Sequence, residues 1–226
     1  MKRFIKKTIV VLIAIVLGLI LVMKLLSKPL PESTLGPEAD EFARRVQEAL
    51  NVSGYETLEE IRFSFRNHDY IWHKKEERVL VSWNDYEVNL TLKEIENSKV
   101  FKRGKILNRA SLIDKAKASF YNDSYWLVAP FKFFDPGVER SLVETENGSK
   151  ALLITHTSGG VTPGDSYLWY FDENLIPTHF ELWVSIIPIK GISATWSSWV
   201  NKQDVLFSTF HKLGPLEITI GDLEVY

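Results

Sequence analysis

The sequence predicts the α+β class: an N-terminal transmembrane helix, then a large curled antiparallel sheet, or half-barrel, of ten or more strands with about two helices. Three observations predict this fold. Residues 8–23 are uncharged and almost wholly aliphatic, most of the later chain alternates apolar and polar residues, and only two later stretches repeat apolar residues at helical spacing. The 226 residues are enough for one such domain with its own hydrophobic core.

Composition and charge exclude several classes of protein. The absence of cysteine excludes disulfides, thiolate metal sites and a cysteine nucleophile. The balance of 27 basic and 29 acidic residues argues against a nucleic-acid partner, which would require a basic face. Six basic residues and no acidic residue precede Pro29, whereas the chain from Pro29 onward has 21 basic and 29 acidic residues, a net charge of −8. A basic, apolar tail therefore precedes an acidic domain.

The aliphatic run has the length of a membrane span. If Lys24 extends its ammonium to the membrane surface, residues 8–26 form 19 residues of helix, roughly 28 Å against a hydrocarbon core of about 30 Å. A cleaved signal peptide is the alternative, but no small-x-small cleavage pattern follows the run. We therefore expect an uncleaved signal anchor.

Basic residues at the start of the chain set the predicted orientation; they are Lys2, Arg3, Lys6 and Lys7. Because basic flanks stay on the cytoplasmic side, we expect a single-pass protein of the cytoplasmic membrane with a cytoplasmic N-terminus. Its main domain would be periplasmic or extracellular. The predicted divisions are 1–27 for the basic tip and anchor, 28–37 for a Pro-rich linker, and 38–226 for the extracytoplasmic domain.

The outer domain is predicted to begin with a helix and to continue as strands. Pro37 and the acidic residues after it are typical of a helix start, and apolar residues recur at helical spacing as far as Leu50. The second helix is predicted at 111–121. Alternation predicts strands at 61–65, 79–83, 88–92, 125–128, 140–144, 150–156, 166–171, 178–184, 195–200, 205–211 and 216–225. Asn147-Gly148 predicts a hairpin between two of these strands.

The chain lacks the motifs that identify common enzymes. It has no Gly-x-Ser-x-Gly, His-Glu-x-x-His, Walker or Gly-x-Gly-x-x-Gly sequence. His156, His179 and His211 lie on three predicted strands, and a metal site formed by their convergence is the alternative to ordinary sheet positions. We assign no catalytic, cofactor-binding or metal-binding residue, and we expect a non-enzymatic protein without a cofactor. A hydrolase remains the third class considered.

Aromatic and aliphatic residues of the later strands are the more informative feature. They pack either as an ordinary core or as the lining of a cavity for an acyl chain, because a wide curled sheet is hard to fill with its own side chains. The candidates for lining such a cavity are Trp126, Val128, Phe131, Phe133, Leu168, Tyr170 and Phe180.

Two stretches resemble a known family. Residues 121–138, YNDSYWLVAPFKFFDPGV, and residues 162–167, TPGDSY, are similar to signatures of an uncharacterised family of bacterial extracytoplasmic proteins. That family resembles in fold the outer-membrane lipoprotein carrier and receptor proteins, LolA and LolB. The resemblance implies a LolA-like curved sheet with an apolar concave face. The chain departs from the pattern in having Phe131 where tryptophan is usual, and in having a membrane anchor.

These observations together lead to an expected function. The chain is expected to be a membrane-anchored extracytoplasmic protein that binds an apolar group, a lipid or a lipoprotein acyl chain, in a curled-sheet cavity. The alternative is an envelope scaffold or assembly protein with a packed interior, whose protein partner no motif identifies. An open apolar cavity favours binding, whereas a filled interior with an exposed apolar patch favours the scaffold.

Overall fold

The computed structural model describes residues 2–146, 148–158 and 163–226, and for residues 2–8, 10 and 11 it describes the backbone alone. The α-helices of the described chain are α1 (Lys2–Leu26), α2 (Pro37–Ala49), α3 (Val52–Thr57) and α4 (Ala110–Val128). The strands of the described chain are β1 (Thr34–Leu35), β2 (Glu60–Phe65), β3 (His68–His73), β4 (Arg78–Trp83), β5 (Tyr86–Thr91), β6 (Lys99–Lys102), β7 (Lys105–Leu107), β8 (Val138–Glu144), β9 (Lys150–His156), β10 (Ser166–Phe171), β11 (Pro177–Trp183), β12 (Ile192–Thr195), β13 (Ser197–Lys202), β14 (Val205–Leu213) and β15 (Leu216–Val225). Short 3-10 turns occupy Ile95–Asn97 and Ala129–Lys132.

All the described strands belong to one antiparallel sheet. Its order is β1-β8-β9-β10-β11-β12-β14-β15-β2-β3-β4-β5-β6-β7, and β13 pairs with β14 beside this path. The long strand β15 joins the two halves, since its first residues pair with β14 and its last residues pair with β2. The last strand of the chain therefore holds the early hairpins and the late hairpins together.

The sheet curls around α4. This helix contacts β14 on one side and β5 and β6 on the other. In a flat sheet β14 and β5 would lie about 24 Å apart, whereas a helix with its side chains is only roughly 10–12 Å across. Contact with both is possible only because the sheet bends, which gives the half-barrel its concave face.

The predicted fold class is confirmed in its main features. The described chain has fifteen strands, and the predicted helices after Pro37 and at 111–121 correspond to α2 and α4. The hairpin at Gly148 is present, with Glu144 paired to Lys150, although Asn147 lies outside the described residues. The elements α3, β1, β3, β6 and β7 are additions that the apolar pattern did not predict.

Two predicted strands are wrong. Residues 125–128 are the last turn of α4, which continues seven residues beyond the predicted end at Tyr121. Helix α4 continues because Asp123 is held inside by hydrogen bonds from Tyr70 and Asn122, so the polar triplet 122–124 does not end it. The predicted strand 195–200 is two strands, β12 and β13, that break at Trp196, where the buried indole turns into the core.

Helix α1 is joined to the outer domain near its end, where the Ser27 hydroxyl donates to the carbonyl of Met23 and accepts the N–H of Lys190 at 3.0 Å. Its described leucine, isoleucine and valine side chains are about half exposed or more, from Ile9 at 50% to Leu25 at 76%. The basic residues at positions 2–7 and the first residues of the predicted span lie outside the described side chains. Within the part of the chain that the structure describes, no helix has both the length and the apolar character needed to cross a membrane.

The segment after α1, residues 27–35, lies against the convex face of the sheet, and we call it the strap. The Lys28 N–H donates to the carbonyl of Lys190 at 2.9 Å, and the Trp183 indole donates to the carbonyl of Lys28 at 2.9 Å. The Lys28 ammonium also pairs with the carboxylate of Glu181. The first part of the predicted linker is therefore fixed to β11 and to the loop that follows it.

The far end of the strap is fixed at β8, three strands away from β11. The Ser141 hydroxyl donates to the Ser33 hydroxyl at 2.9 Å, and β1 pairs with β8. Ser141, Leu153, Leu168 and Glu181 are consecutive partners across β8, β9, β10 and β11, and the strap touches both ends of this row. Leu153 and Leu168 in the middle are each only 3% exposed. The strap therefore crosses the row and covers its two leucines.

We expect Trp183→Phe to loosen the strap. The substitution removes the indole N–H that binds Lys28 and should cost about 1 kcal/mol of unfolding free energy. Cleavage after Glu32 by a glutamate-specific protease should become faster. Trp199→Phe is the matched control, because its indole N–H donates to the carbonyl of Pro177 away from the strap. Equal cleavage rates in the two variants would contradict the fixed strap.

Candidate ligand-binding cleft

A cleft of about 550 Å³ opens between α4, α3 and the ends of β3 and β5. Its size falls within the roughly 300–1,000 Å³ of small-molecule sites. Its apolar wall consists of Tyr55, Trp72, Leu92, Phe120, Tyr121, Val128 and Phe131. Its polar and charged residues are Glu56, Lys74, Glu77, Lys93, Ser124, Lys132 and Asp135. The cleft thus combines an apolar wall with a charged rim.

Helix α4 supplies the apolar floor. Phe120, Ser124 and Val128 are four residues apart, so they lie above one another on a single helix face. The ring of Phe120 packs edge-to-face on Trp72 of β3, with centroids 5.2 Å apart. Phe120 and Val128 are almost fully buried. This floor is therefore held by the core and is not a loose surface.

The 3-10 turn after α4 and helix α3 form the opposite wall. Phe131 stacks on Tyr55 with ring centroids 4.3 Å apart and planes 10° apart. Asn51 begins α3 with a left-handed backbone, and its side chain accepts the N–H of Gly54 at 3.1 Å. This N-cap fixes the turn that carries Tyr55 into the cleft.

Three lysines stand at the rim, and two of them pair with carboxylates. Lys93 Nζ lies 2.7 Å from Glu77, and Lys132 Nζ lies 2.6 Å from Asp135. The third, Lys74, lies 3.6 Å from the centroid of the Tyr55 ring and donates to the backbone carbonyl of the same residue. Burial, with a smaller contribution from the nearby charge of Lys132, lowers the pKa of Lys74 to about 8 against the opposing effect of Glu56.

The predicted cavity residues divide into three groups. Only Val128 and Phe131 line the cleft. Phe133 and Phe180 are fully buried in the core on the concave side, and Trp126 is half-buried beside them. The packing there is close, because Phe180 lies 5.7 Å from Trp126 and 4.9 Å from Trp169 between ring centroids. These three residues fill the interior and do not line an opening.

The inclusion of Leu168 and Tyr170 with the concave residues is wrong. Both belong to a separate small cluster on the convex face, beneath and beside the strap. Successive residues of a strand point to opposite faces, and the register pairs Trp169, not Leu168, with Phe180. Trp169 is therefore the residue of β10 that faces the core.

The three histidines of the later strands do not converge. His211 is fully buried between the rings of Trp126 and Trp196, and His179 stacks on Tyr170 on the convex side. His156 lies instead beside Tyr125, with 3.5 Å between its Nε2 and the hydroxyl. Across the described residues, no three side chains of histidine, aspartate or glutamate cluster as a metal site.

A buried polar cluster holds α4 to β3. The hydroxyl of Tyr70 donates to Asp123 Oδ2 at 2.5 Å, and His68 Nδ1 lies 3.7 Å from the same oxygen. Burial raises the pKa of Asp123, although the hydrogen bonds from Tyr70 and Asn122 oppose this effect. Burial lowers the pKa of His68. The cluster has no open space beside it in the cleft, so its evident role is to fix the helix that forms the floor.

The two motif stretches have structural roles. In the first stretch, Pro130 lies in the 3-10 turn. Gly137 has a φ of 79° and packs against Ser158. A Cβ at position 137 would lie only 2.5 Å from the carbonyl oxygen of Ser158, so the position requires glycine. In the second, Asp165 is buried and accepts the N–H of Ser185 at 2.8 Å. Thr162, with which the second motif begins, lies outside the described residues.

Comparisons with known proteins place few constraints on the chain. No family model and no curated protein matches it. Two solved chains match in structure, among them a DUF1329 family protein from Desulfovibrio piger at 1.75 Å resolution. That likeness covers 82% of this chain and 92% of the other, at 9% identity and a TM-score of 0.42.

Proposed function

We propose that the protein is a membrane-anchored extracytoplasmic binding protein whose cleft takes one acyl chain of a lipid or lipoprotein. The observation that carries the proposal is the cleft of about 550 Å³, which has an apolar floor held by α4 and a charged rim. Burial of the acyl chain over the α4 floor and against the half-buried Trp72, Leu92 and Tyr121 would drive binding. The charged rim would remain in contact with water and with the polar part of the ligand.

The anchored location rests on the start of the chain. The aliphatic run 8–23 and the basic residues before it support a signal anchor with a cytoplasmic N-terminus. The exposed aliphatic side chains of the described part of α1 agree with a lipid environment. The similarity of residues 121–138 to the family that resembles LolA and LolB supports an extracytoplasmic role with an apolar ligand.

Photolabelling tests the proposal with the full chain. The protein is placed in phosphatidylcholine vesicles with a fatty acid that carries a diazirine, and labelled peptides are identified by mass spectrometry. We expect label on the peptides that contain Phe120 and Phe131. Leu92→Trp should lower that label roughly tenfold, because the larger side chain occupies the cleft.

The controls separate cleft binding from general contact with lipid. Ile186→Trp, at a position 73% exposed and outside the cleft, should leave the cleft label unchanged. Label on α1 should be equal in all variants if α1 lies in the bilayer. Absence of cleft label in the wild-type protein, with label confined to α1, would overturn the acyl-chain proposal.

An assembly protein is the second candidate, and the packed interior favours it. Phe133, Trp169 and Phe180 fill the concave side with ring contacts of 4.9–5.4 Å, as an interior without a ligand would be filled. The edge strand β7 also exposes Ile106 at 70%. The photolabelling experiment separates the two candidates, since an assembly protein would take no label in the cleft.

A further inference from the structure

Lys74 differs from the other lysines of the cleft in having no acidic partner. Among the described residues no ion pair joins it to a carboxylate, whereas Lys93 and Lys132 each have one. Glu56 acts on Lys74 only at longer range and has an exposed side chain. The Lys74 ammonium on the wall of this half-buried cleft therefore has no carboxylate in direct contact among the described residues.

The position of the Lys74 ammonium is fixed. It lies 3.6 Å from the centre of the Tyr55 ring and donates one N–H to the carbonyl of Tyr55. The ring itself is held by Phe131, which stacks on it. An ammonium has three N–H donors, so two remain for another acceptor. The site therefore offers a positioned cation next to an apolar floor.

We infer that the cleft takes a single-chain amphiphile with an anionic head group, with its head at Lys74 and its chain along Phe120 and Val128. The inference rests on the proposed acyl-chain function and specifies the ligand class. A carboxylate or a phosphate would accept the free N–H groups of Lys74 as charge-assisted hydrogen bonds. The charges that act on Lys74 are those of Glu56 and Lys132, and Lys132 is paired with Asp135.

The test compares three diazirine probes of equal chain length on the full protein in phosphatidylcholine vesicles. They are a fatty acid, a lysophosphatidic acid and an uncharged fatty alcohol. We expect the two anionic probes to label the cleft peptides about tenfold more than the alcohol, the effect of one charge-assisted hydrogen bond. The ratio of the two anionic labels identifies whether carboxylate or phosphate is the better head group.

Substitutions at Lys74 assign the effect to its charge. Lys74→Met should lower the anionic labels about tenfold and leave the alcohol label unchanged, while Lys74→Arg should keep the anionic labels within about threefold. Lys102→Met is the matched control, because Lys102 also lies over a tyrosine ring, 5.0 Å from that of Tyr86, away from the cleft. Circular dichroism and thermal unfolding verify that each variant folds.

The outcomes distinguish this inference from the proposed function. Equal cleft labelling by acid and alcohol in the wild type, or no change in Lys74→Met, would overturn the anionic head group and leave the acyl-chain proposal standing. Labelling of the cleft by none of the probes would overturn both. Loss of the anionic labels in Lys102→Met as well would show that the charge at Lys74 is not the cause, and would also overturn the inference.

Discussion

Phe180→Ala is expected to lower the free energy of unfolding by about 3–5 kcal/mol, the cost of a large cavity in a packed core. The Phe180 side chain is fully buried, and its ring contacts those of Tyr167, Trp169 and Trp196 at centroid distances of 5.3, 4.9 and 5.7 Å. Chemical denaturation followed by tryptophan fluorescence and by circular dichroism measures the loss.

The control for this substitution is Ile186→Ala. Ile186 is 73% exposed, so the change should alter the free energy of unfolding by no more than about 0.5 kcal/mol. A loss below about 1 kcal/mol for Phe180→Ala would contradict the packed interior. The concave side would then have to contain open space into which the neighbouring rings can move.

Acid is expected to destabilise the protein through His211. Its ring is fully buried between Trp126 and Trp196, and its Nδ1 donates to the carbonyl of Thr195 at 3.1 Å. Burial lowers the pKa of His211 to about 4 from the ordinary value of 6.5, against the opposing effect of its backbone hydrogen bonds. The folded protein therefore keeps this ring neutral where the unfolded chain binds a proton.

The direction of the pH effect follows from proton binding. Above pH 6.5 both states are neutral at His211, and the full stability is present. Between pH 6.5 and about pH 4 only the unfolded chain gains the proton, so stability falls as pH falls, by about 3 kcal/mol over this range. Urea unfolding at pH 7 and at pH 4 measures the difference.

His211→Asn isolates this contribution. The amide can donate to Thr195 in place of Nδ1 but does not titrate, so the variant should lose about 3 kcal/mol less than the wild type between the two pH values. Burial also lowers the pKa of His68, His156 and His179, and their effects cancel because both proteins contain them. An identical pH dependence in the two proteins would refute the assignment to His211.

The alternation of apolar and polar residues was enough to predict most of the sheet. Strands such as β2, β4 and β5 have one buried and one exposed face, and this periodicity is local information. The end of α4 depended on distant partners. Tyr70, on a different element, donates the hydrogen bond that holds Asp123 in the core. Pro130 follows the end of the helix and has no N–H with which to continue the helical hydrogen bonds.

The cleft was predictable only in part. Val128 and Phe131 were identified because they lie in the aromatic-rich stretch of residues 126–134. Lys74 and Tyr55 carried no signal, since α3 and β3 meet only in the folded chain. The failure at Leu168 had a different origin: the choice of face on a strand that is buried on both sides cannot be made from hydrophobicity, because the strap hides the second face.

The strap has a mechanical consequence for an anchored protein. A flexible ten-residue linker would have a root-mean-square end-to-end distance on the order of 17 Å, so the domain could move by that distance relative to the end of the helix. Here the Ser27 hydroxyl binds the last turn of α1 through Met23 and also accepts the N–H of Lys190 in the domain. In the proposed anchored state, α1 and the outer domain would then move together as one rigid unit. The tilt of α1 would set the height of the cleft above the bilayer, and with it the distance that a lipid must travel to enter.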